Sequence, residues 1–499
     1  AWMLDVLFDP ARARQYPVFL VESAEAMDAI GLHHDDRRQR FSYETLVPVR
    51  ESLQRLASEY GRLPAAEQTP AQKQVQRLAT NLLLYDALAN SLAFARGQLD
   101  RLEVAGAVLR IIPPVDGAID ATWLSPAQVV TEALKRQGAH VDQGQLIRTL
   151  RQLQTKAGEP AAFSKGLGAF REQVAALAGP AALAHLPLEL HLHRLAPFSL
   201  ALTLYVLATL LIAAGWLAPR QRWLYRVSLV CVTIPLFLHL YGIILRCIIR
   251  GRPPVSTLYE TILFVTAVAV VIAVVIEVIY RHRLAAGLAG FLGALGLFLA
   301  GRYEAIDGQD TMPALMAVLD TNFWLATHVT TVTIGYAAGL LASALAHVYL
   351  LGRATGLGAS RQEGFKQLTG MVYGTVCFCL LFSTVGTILG GIWATESWGR
   401  FWGWDPKENG ALMIVLWGLT ILHARAGGYI RELGVHLAAI FLGVIVAFSW
   451  FGVNLLGVGL HSYGFTAGVH TALQAFYLVE SLVLLSGLIA WYRLDTDLR

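Results

Sequence analysis

The sequence predicts a mostly α-helical, polytopic membrane protein with a mainly helical, water-facing N-terminal domain. Three observations carry this prediction. Of 499 residues, 55% are hydrophobic and 15% charged, where a soluble chain carries about 25% charged residues. The mean hydropathy of +0.52 agrees. The apolar residues are concentrated in residues 196–499, whereas residues 1–195 contain no run of roughly 20 apolar residues that could cross a bilayer. The twelve tryptophans cluster instead of scattering. Together these features exclude a soluble single-core enzyme, a disordered chain and a nucleic-acid binder. A net charge of +4 says little about partners.

In the domain 1–195, Leu46, Val49, Leu53 and Leu56 recur at helical spacing. Pro64 and Pro70 are expected to interrupt that pattern, which resumes toward Leu99. Ser125-Pro126 reads as an N-cap followed by proline at the first helical position. A further helix is expected to run toward Gly179, and the less periodic stretches 10–32 and 105–124 allow short strands.

The domain 196–499 holds nine segments long enough to span: 197–217, 227–248, 258–280, 284–300, 323–352, 368–392, 409–425, 434–451 and 470–492. Alternate connections carry Arg220, Arg222, Arg226, Arg281, Arg283, Arg353, Arg361, Lys366, Arg425, Arg431, Arg493 and Arg499. The opposite ones carry only Arg250, Arg252, Arg302, Arg400 and Lys407. The richer side is expected to be cytoplasmic. The C-terminus then lies inside, while residues 1–195, 393–408 and 452–469 face outward. Ala1-Trp2-Met3 is no signal peptide, so export of the domain predicts further transmembrane segments upstream. The four cysteines, Cys231, Cys247, Cys377 and Cys379, lie in apolar runs without CxxC or CxxCH spacing. They read as packing residues.

The sharpest feature is residues 393–408, with Trp393, Trp398, Phe401, Trp402 and Trp404 interleaved with Arg400, Asp405 and Lys407. An interfacial aromatic belt is one reading. A belt, however, spreads over many segment ends and needs no ordered glycine, proline and charge between its rings. A concave aromatic shelf would take a large flat ligand by stacking, with Arg400 and Lys407 available to its carboxylates. A porphyrin with two propionates fits, and a quinone or a lipid stays open on these grounds.

Trp-Gly-Arg-Phe-Trp-Gly-Trp-Asp-Pro-Lys-Glu, at 398–408, resembles the WWD signature of the haem-handling proteins of cytochrome c maturation. The stretches 188–198 and 251–260 extend the likeness over nearly all of 197–499. The chain is most similar to the CcsA-like (ResC-like) half of the system II cytochrome c synthase. That resemblance implies a bacterial cytoplasmic-membrane protein that holds haem b, as substrate and ligand, on the outward loop. It implies a holocytochrome c synthase joining haem vinyl groups to the CxxCH thiols of an apocytochrome c. A CcsB-like (ResB-like) half, upstream or separate, and a thiol-reducing pathway are the further implied partners. A haem exporter without ligase activity and a bis-histidine electron carrier are the alternatives.

Fourteen histidines are present, and imidazole is the usual axial ligand of b-type haem. His328, near the outward end of the fifth span, and His461, in the last outward loop, match the family's external pair. The incoming CxxCH histidine would displace one of them, which gives them the catalytic role. His470 is the rival of His461. His423 lies about fourteen residues into the seventh span, ~20 Å deep at 1.5 Å per residue. An ionisable residue there is a functional candidate, and the family places a haem ligand at this point whose partner belongs to the CcsB-like half. His239 is the alternative within this chain. His347 and His436, near cytoplasmic ends, are expected to snorkel to water. His33, His34, His140, His185, His191, His193 and His282 need no special role. Asp405 suits an N-cap before Pro406 or a haem contact. Tyr259 and Glu260 carry no role that the sequence argues.

Overall fold

A computed structural model of the chain describes residues 2–36, 38–63, 68–114, 122–136, 141–216, 223–307, 310–313, 315, 321–355, 362–453, 456, 458, 459, 461 and 469–496. Pro64, His140, Arg220, Arg222, Arg361, Arg499 and most of the stretch 454–468 lie outside them. Two compact units are formed, Ala1–Leu186 and Pro187–Arg499.

The first unit is mainly helical: α1 (Trp2–Phe8), α2 (Ala24–Ile30), α3 (Arg50–Tyr60), α4 (Pro70–Asn90), α5 (Pro126–Arg136), α6 (Val141–Thr155) and α7 (Pro160–Ala182). Pro70 starts a helix instead of breaking one. Its missing N–H costs nothing at the first position, and Thr69 and Gln72 close a reciprocal capping box. Ser125 caps α5 in the expected way, accepting from the Gln128 N–H at 3.1 Å. The helical pattern read toward Leu99 stops at Asn90, where 3₁₀ turns take over. A two-stranded antiparallel sheet pairs β1 (Phe19–Val21) with β2 (Gln39–Phe41), Phe19 opposite Phe41. The stretch 105–124 contributes only an isolated bridge, Ile112 to Leu124, among the described residues. Two apolar clusters fill the unit, around Met27, Leu46 and Leu53 and around Leu92, Leu146 and Leu153.

In the second unit, a short helix α8 (Leu186–Leu195) leads into α9 (Pro197–Trp216). The series continues with α10 (Trp223–Arg250), α11 (Leu258–Tyr280), α12 (Leu284–Asp307), α13 (Asn322–Ala354), α14 (Gln362–Trp398), α15 (Pro406–Ala426), α16 (Glu432–Ala447) and α17 (Val469–Thr496). Nine helical stretches among the described residues are long and apolar enough to cross a membrane. The chain is a polytopic helical membrane protein.

Small residues let these helices approach closely. A Cβ at Gly335 would meet Ser383, and one at Gly386 would meet the Val332 backbone, so α13 and α14 pack in near contact. Turns carry their own caps. Buried Glu277 accepts from the N–H groups of Arg283, at 2.7 Å, and Ala286, at 3.1 Å, which starts α12 immediately after α11.

Candidate functional site

Two local breaks in helical winding prepare the site. The turn Leu325–Val329 of α13 is π-wound, a defect that is frequent at functional positions, and it carries His328. A second π turn, Phe448–Gly452, closes α16 and carries Trp450. Both residues line a cavity of about 600 Å³ that His461, Trp393, Trp398, Phe401 and Trp402 also line. Its size is that of a small-molecule or cofactor site.

The aromatic loop is shorter than 393–408. Trp393 and Trp398 belong to the last two turns of α14, which ends where Gly399 takes a φ of +69°. Glu408 organises the seven residues between α14 and α15. Its carboxylate accepts from the N–H groups of Gly403, at 2.7 Å, and Asp405, at 3.1 Å, and pairs with Arg400 at 3.2 Å. Asp405 returns the bond by accepting from the Lys407 N–H at 2.9 Å, so the expected cap is present as a capping box with Pro406 in the first turn. The role of Glu408 was missed in the sequence. Its signal was there, an acidic residue three positions after the cap.

Both imidazoles are held through Nδ1. His328 Nδ1 donates to the Gly386 carbonyl at 2.8 Å, and His461 Nδ1 donates to Asp405 Oδ1 at 3.0 Å. Each bond selects the tautomer whose Nε2 is unprotonated and able to accept a hydrogen bond or a metal. Burial holds the His461 imidazole below its ordinary range, with Asp405 opposing, so it is neutral near pH 7. Aromatic edges orient both rings. Trp393 lies 5.7 Å from His328 and stacks on Trp324 at 6.3 Å, whose indole N–H donates to Glu396 at 2.8 Å. Trp398 meets His461 edge-on at 5.0 Å. Glycines clear the space: a Cβ at Gly390 would come within 2.6 Å of the His328 ring, and one at Gly391 within 2.5 Å of Phe401.

Three expected members of the shelf are placed differently. Trp404 has a φ of +58° and is 71% exposed, outside the cavity lining. Arg400 is engaged by Glu408 and lies over the Trp398 ring, 5.8 Å from its centre, outside the cavity lining. Asp405 acts through His461 and the helix cap. Lys407 lines the cavity, and its ammonium donates to the Trp450 carbonyl at 3.0 Å.

The remaining histidines separate clearly. His423 is exposed in the last turn of α15, its Nδ1 donating to its own helix at the Leu419 carbonyl, 2.8 Å away. His239 is fully buried in α10 beside Phe198 and Tyr205. It does not line the cavity. His470 is exposed at the start of α17. The expectation of reaching water is overturned for His436, while the His347 side chain is 34% exposed. His436 is fully buried, stacks on Tyr349 and bonds Thr369 at 3.0 Å, while His347 pairs with Glu480 at 3.1 Å. In each ring Nε2 meets a polar partner on a neighbouring helix.

Comparison with known proteins places the helical part of the chain. Residues 255–461 match the family model described as cytochrome C assembly protein. A cytochrome c biogenesis protein CcsA from a Synechococcus strain is 30% identical over 304 residues, 54% of this chain and 99% of the relative. The CcsA of Parasynechococcus marenigrum is 31% identical over 253 residues, 45% of this chain and 82% of the relative. Protein NrfI of Wolinella succinogenes is 34% identical over 236 residues, 45% of this chain and 25% of that protein.

Proposed function

We propose, for a chain that belongs to the CcsA family of cytochrome c biogenesis proteins, that the cavity holds haem b between His328 and His461 for covalent attachment to an apocytochrome c. The observation that carries this reading is the pair of Nδ1-tethered imidazoles on one aromatic cavity. Residues of the right chemistry are present: two neutral nitrogen ligands, four aromatic rings from the motif for a flat macrocycle, and Lys407 as the cation facing the interior.

Haem supplies the vinyl groups, and the apocytochrome supplies the two thiols of CxxCH. Each S–H adds across a vinyl C=C. A carbon–sulfur bond forms at one carbon, a proton goes to the other, and no oxidant is consumed. The work of this chain is to hold one partner still beside the other. Gly386 and Asp405 keep His328 and His461 aimed, the rings of Trp393 and Trp398 keep water off, and one imidazole yields its place to the incoming CxxCH histidine.

The positive-inside arrangement supports an outward cavity in a bacterial cytoplasmic membrane, with the C-terminus inside. The domain 1–195, on the same side, is the surface we assign to receiving the apocytochrome. His423 has its Nε2 turned from its own helix bond and lies on an exposed face of α15. That exposure supports a second, deeper ligand position completed by a CcsB-like half, fused or separate. A thiol-reducing pathway would keep the CxxCH sulfurs available.

Co-expression with an apocytochrome reporter, in cells lacking their own maturation system, tests the reading. The protein should leave haem on the reporter in denaturing gels. His328→Gly and His461→Gly should abolish or cripple that labelling, and added imidazole should partly restore it. Haem bound to this protein without reporter labelling would make it a haem-delivery protein. Full activity of both single variants would remove the assigned ligands.

A further inference from the structure

The cavity has a second wall, built from the start of α11, the end of α12 and residues 310, 311, 313 and 315. Two guanidinium groups hold it: Arg250 donates to the Pro313 carbonyl at 2.9 Å, on the exposed side, and Arg246 is buried behind it. Arg246, on α10, is 4% exposed, and Glu260, on α11, is 2% exposed. Arg246 Nη2 donates to Glu260 Oε1 at 3.1 Å and to the Thr311 carbonyl at 2.5 Å, and Nη1 donates to the Thr311 hydroxyl at 3.1 Å. The guanidinium also lies over the Tyr259 ring, 5.0 Å from its centre. Glu260 uses its other oxygen to accept from the Ser256 N–H at 3.2 Å and hydroxyl at 2.5 Å. Ser256, Tyr259 and Thr311 all line the cavity that His328 and His461 line.

A buried ion pair is a weak source of stability, since an apolar pair of similar volume often does as well. What this one has, and an apolar pair lacks, is the planar fork that reaches two chain segments at once. We propose that Arg246 is a positioning residue that ties α11 and the Thr311 segment into one rigid wall, setting the width of the cavity opposite the two imidazoles. This rests on the reading of the cavity as a haem site. With the wall fixed, a flat ligand is held where both Nε2 atoms reach its iron. With the wall loose, one ligation is lost.

The test is the absorption spectrum and haem content of the full chain purified in detergent. Arg246→Met should lose the six-coordinate low-spin absorption and shed haem. Because that variant leaves Glu260 buried without its counter-charge, Arg246→Met/Glu260→Met is measured beside it, and it should show the same loss, since Thr311 and Tyr259 are still released. A wild-type spectrum in either variant overturns the proposal; in the double variant it would show that only charge compensation mattered. Should Arg246→Met fail to fold, Arg246→Lys takes its place. Lysine keeps the charge but replaces the planar fork with a shorter, single nitrogen, which cannot reproduce the two-nitrogen span from Glu260 to Thr311, so it too should lose the spectrum, and a wild-type spectrum there equally overturns the proposal. His328→Gly separates the two failures: an unaltered spectrum in that variant defeats the haem-site reading, not the role of Arg246.

Discussion

Asp405 and His461 are 56 positions apart in the chain, yet Asp405 Oδ1 accepts from His461 Nδ1 at 3.0 Å while the same carboxylate caps α15. One side chain thus starts a helix and aims an imidazole. Gly459, at a φ of +89°, lets the loop pass close: a Cβ there would collide with the Asp405 carboxylate.

The two duties of Asp405 can be separated. Asn retains the capping acceptor, so Asp405→Asn should keep near-normal stability but weaken His461 as a ligand, with roughly 10-fold or greater loss of haem affinity for a lost outer partner. Asp405→Ala should in addition cost about 1 kcal/mol of helix stability. Haem titration and thermal unfolding of the two variants, run in parallel, check this. Equal haem affinity in Asn and wild type would show that the carboxylate does not tune His461.

Gly390 should tolerate no side chain. Its Cβ would lie 2.6 Å from His328 Cε1, whereas a Cβ at Gly374, on the same helix, meets nothing within 4 Å. Gly390→Ala is expected to displace the imidazole and abolish six-coordinate absorption, and Gly374→Ala to leave it unchanged. Identical spectra for both would mean that the His328 ring moves freely.

The aromatic motif should divide by position. Trp398→Ala and Trp402→Ala remove rings that line the cavity. Each should weaken haem retention by about 0.5–1.5 kcal/mol for a lost ring contact, beyond the lost area. Trp404→Ala, at a residue 71% exposed, should leave haem content near wild type. Haem per protein at matched expression is the measurement. If all three behave alike, the motif acts as an interfacial belt.

His423→Ala should lower haem occupancy at the outer site as well as the inner one if haem passes outward through the membrane, while His328→Ala and His461→Ala should leave the inner haem bound. Pyridine haemochrome content and visible spectra of the three variants decide it. Normal haem and normal cytochrome yield in His423→Ala would rule out the inner site on α15, and His239, fully buried in α10, would be tested next.

Hydropathy is a sum over local composition, and so the spans were legible without a structure: 258–280 and 470–492 coincide with the described helices Leu258–Tyr280 and His470–Tyr492. Local chemistry likewise announced the Ser125-Pro126 and Asp405-Pro406 helix starts, because a cap acts within one turn. The aromatic motif, His328 and His461 were legible as a pattern, and the structure brings them to one cavity. Tertiary packing decided which rings face the cavity: the backbone takes positive φ at Gly399 and Trp404, and Trp402 lines the cavity while Trp404 lies at the surface. It also decided what holds the ligands. Gly386 is 58 positions from His328, Thr311 is 65 from Arg246, and Glu480 reaches His347 from a different helix. No local rule relates such residues. They meet because small side chains let the helices close on one another, and a buried polar group in an apolar bundle then takes whichever partner that packing brings within reach.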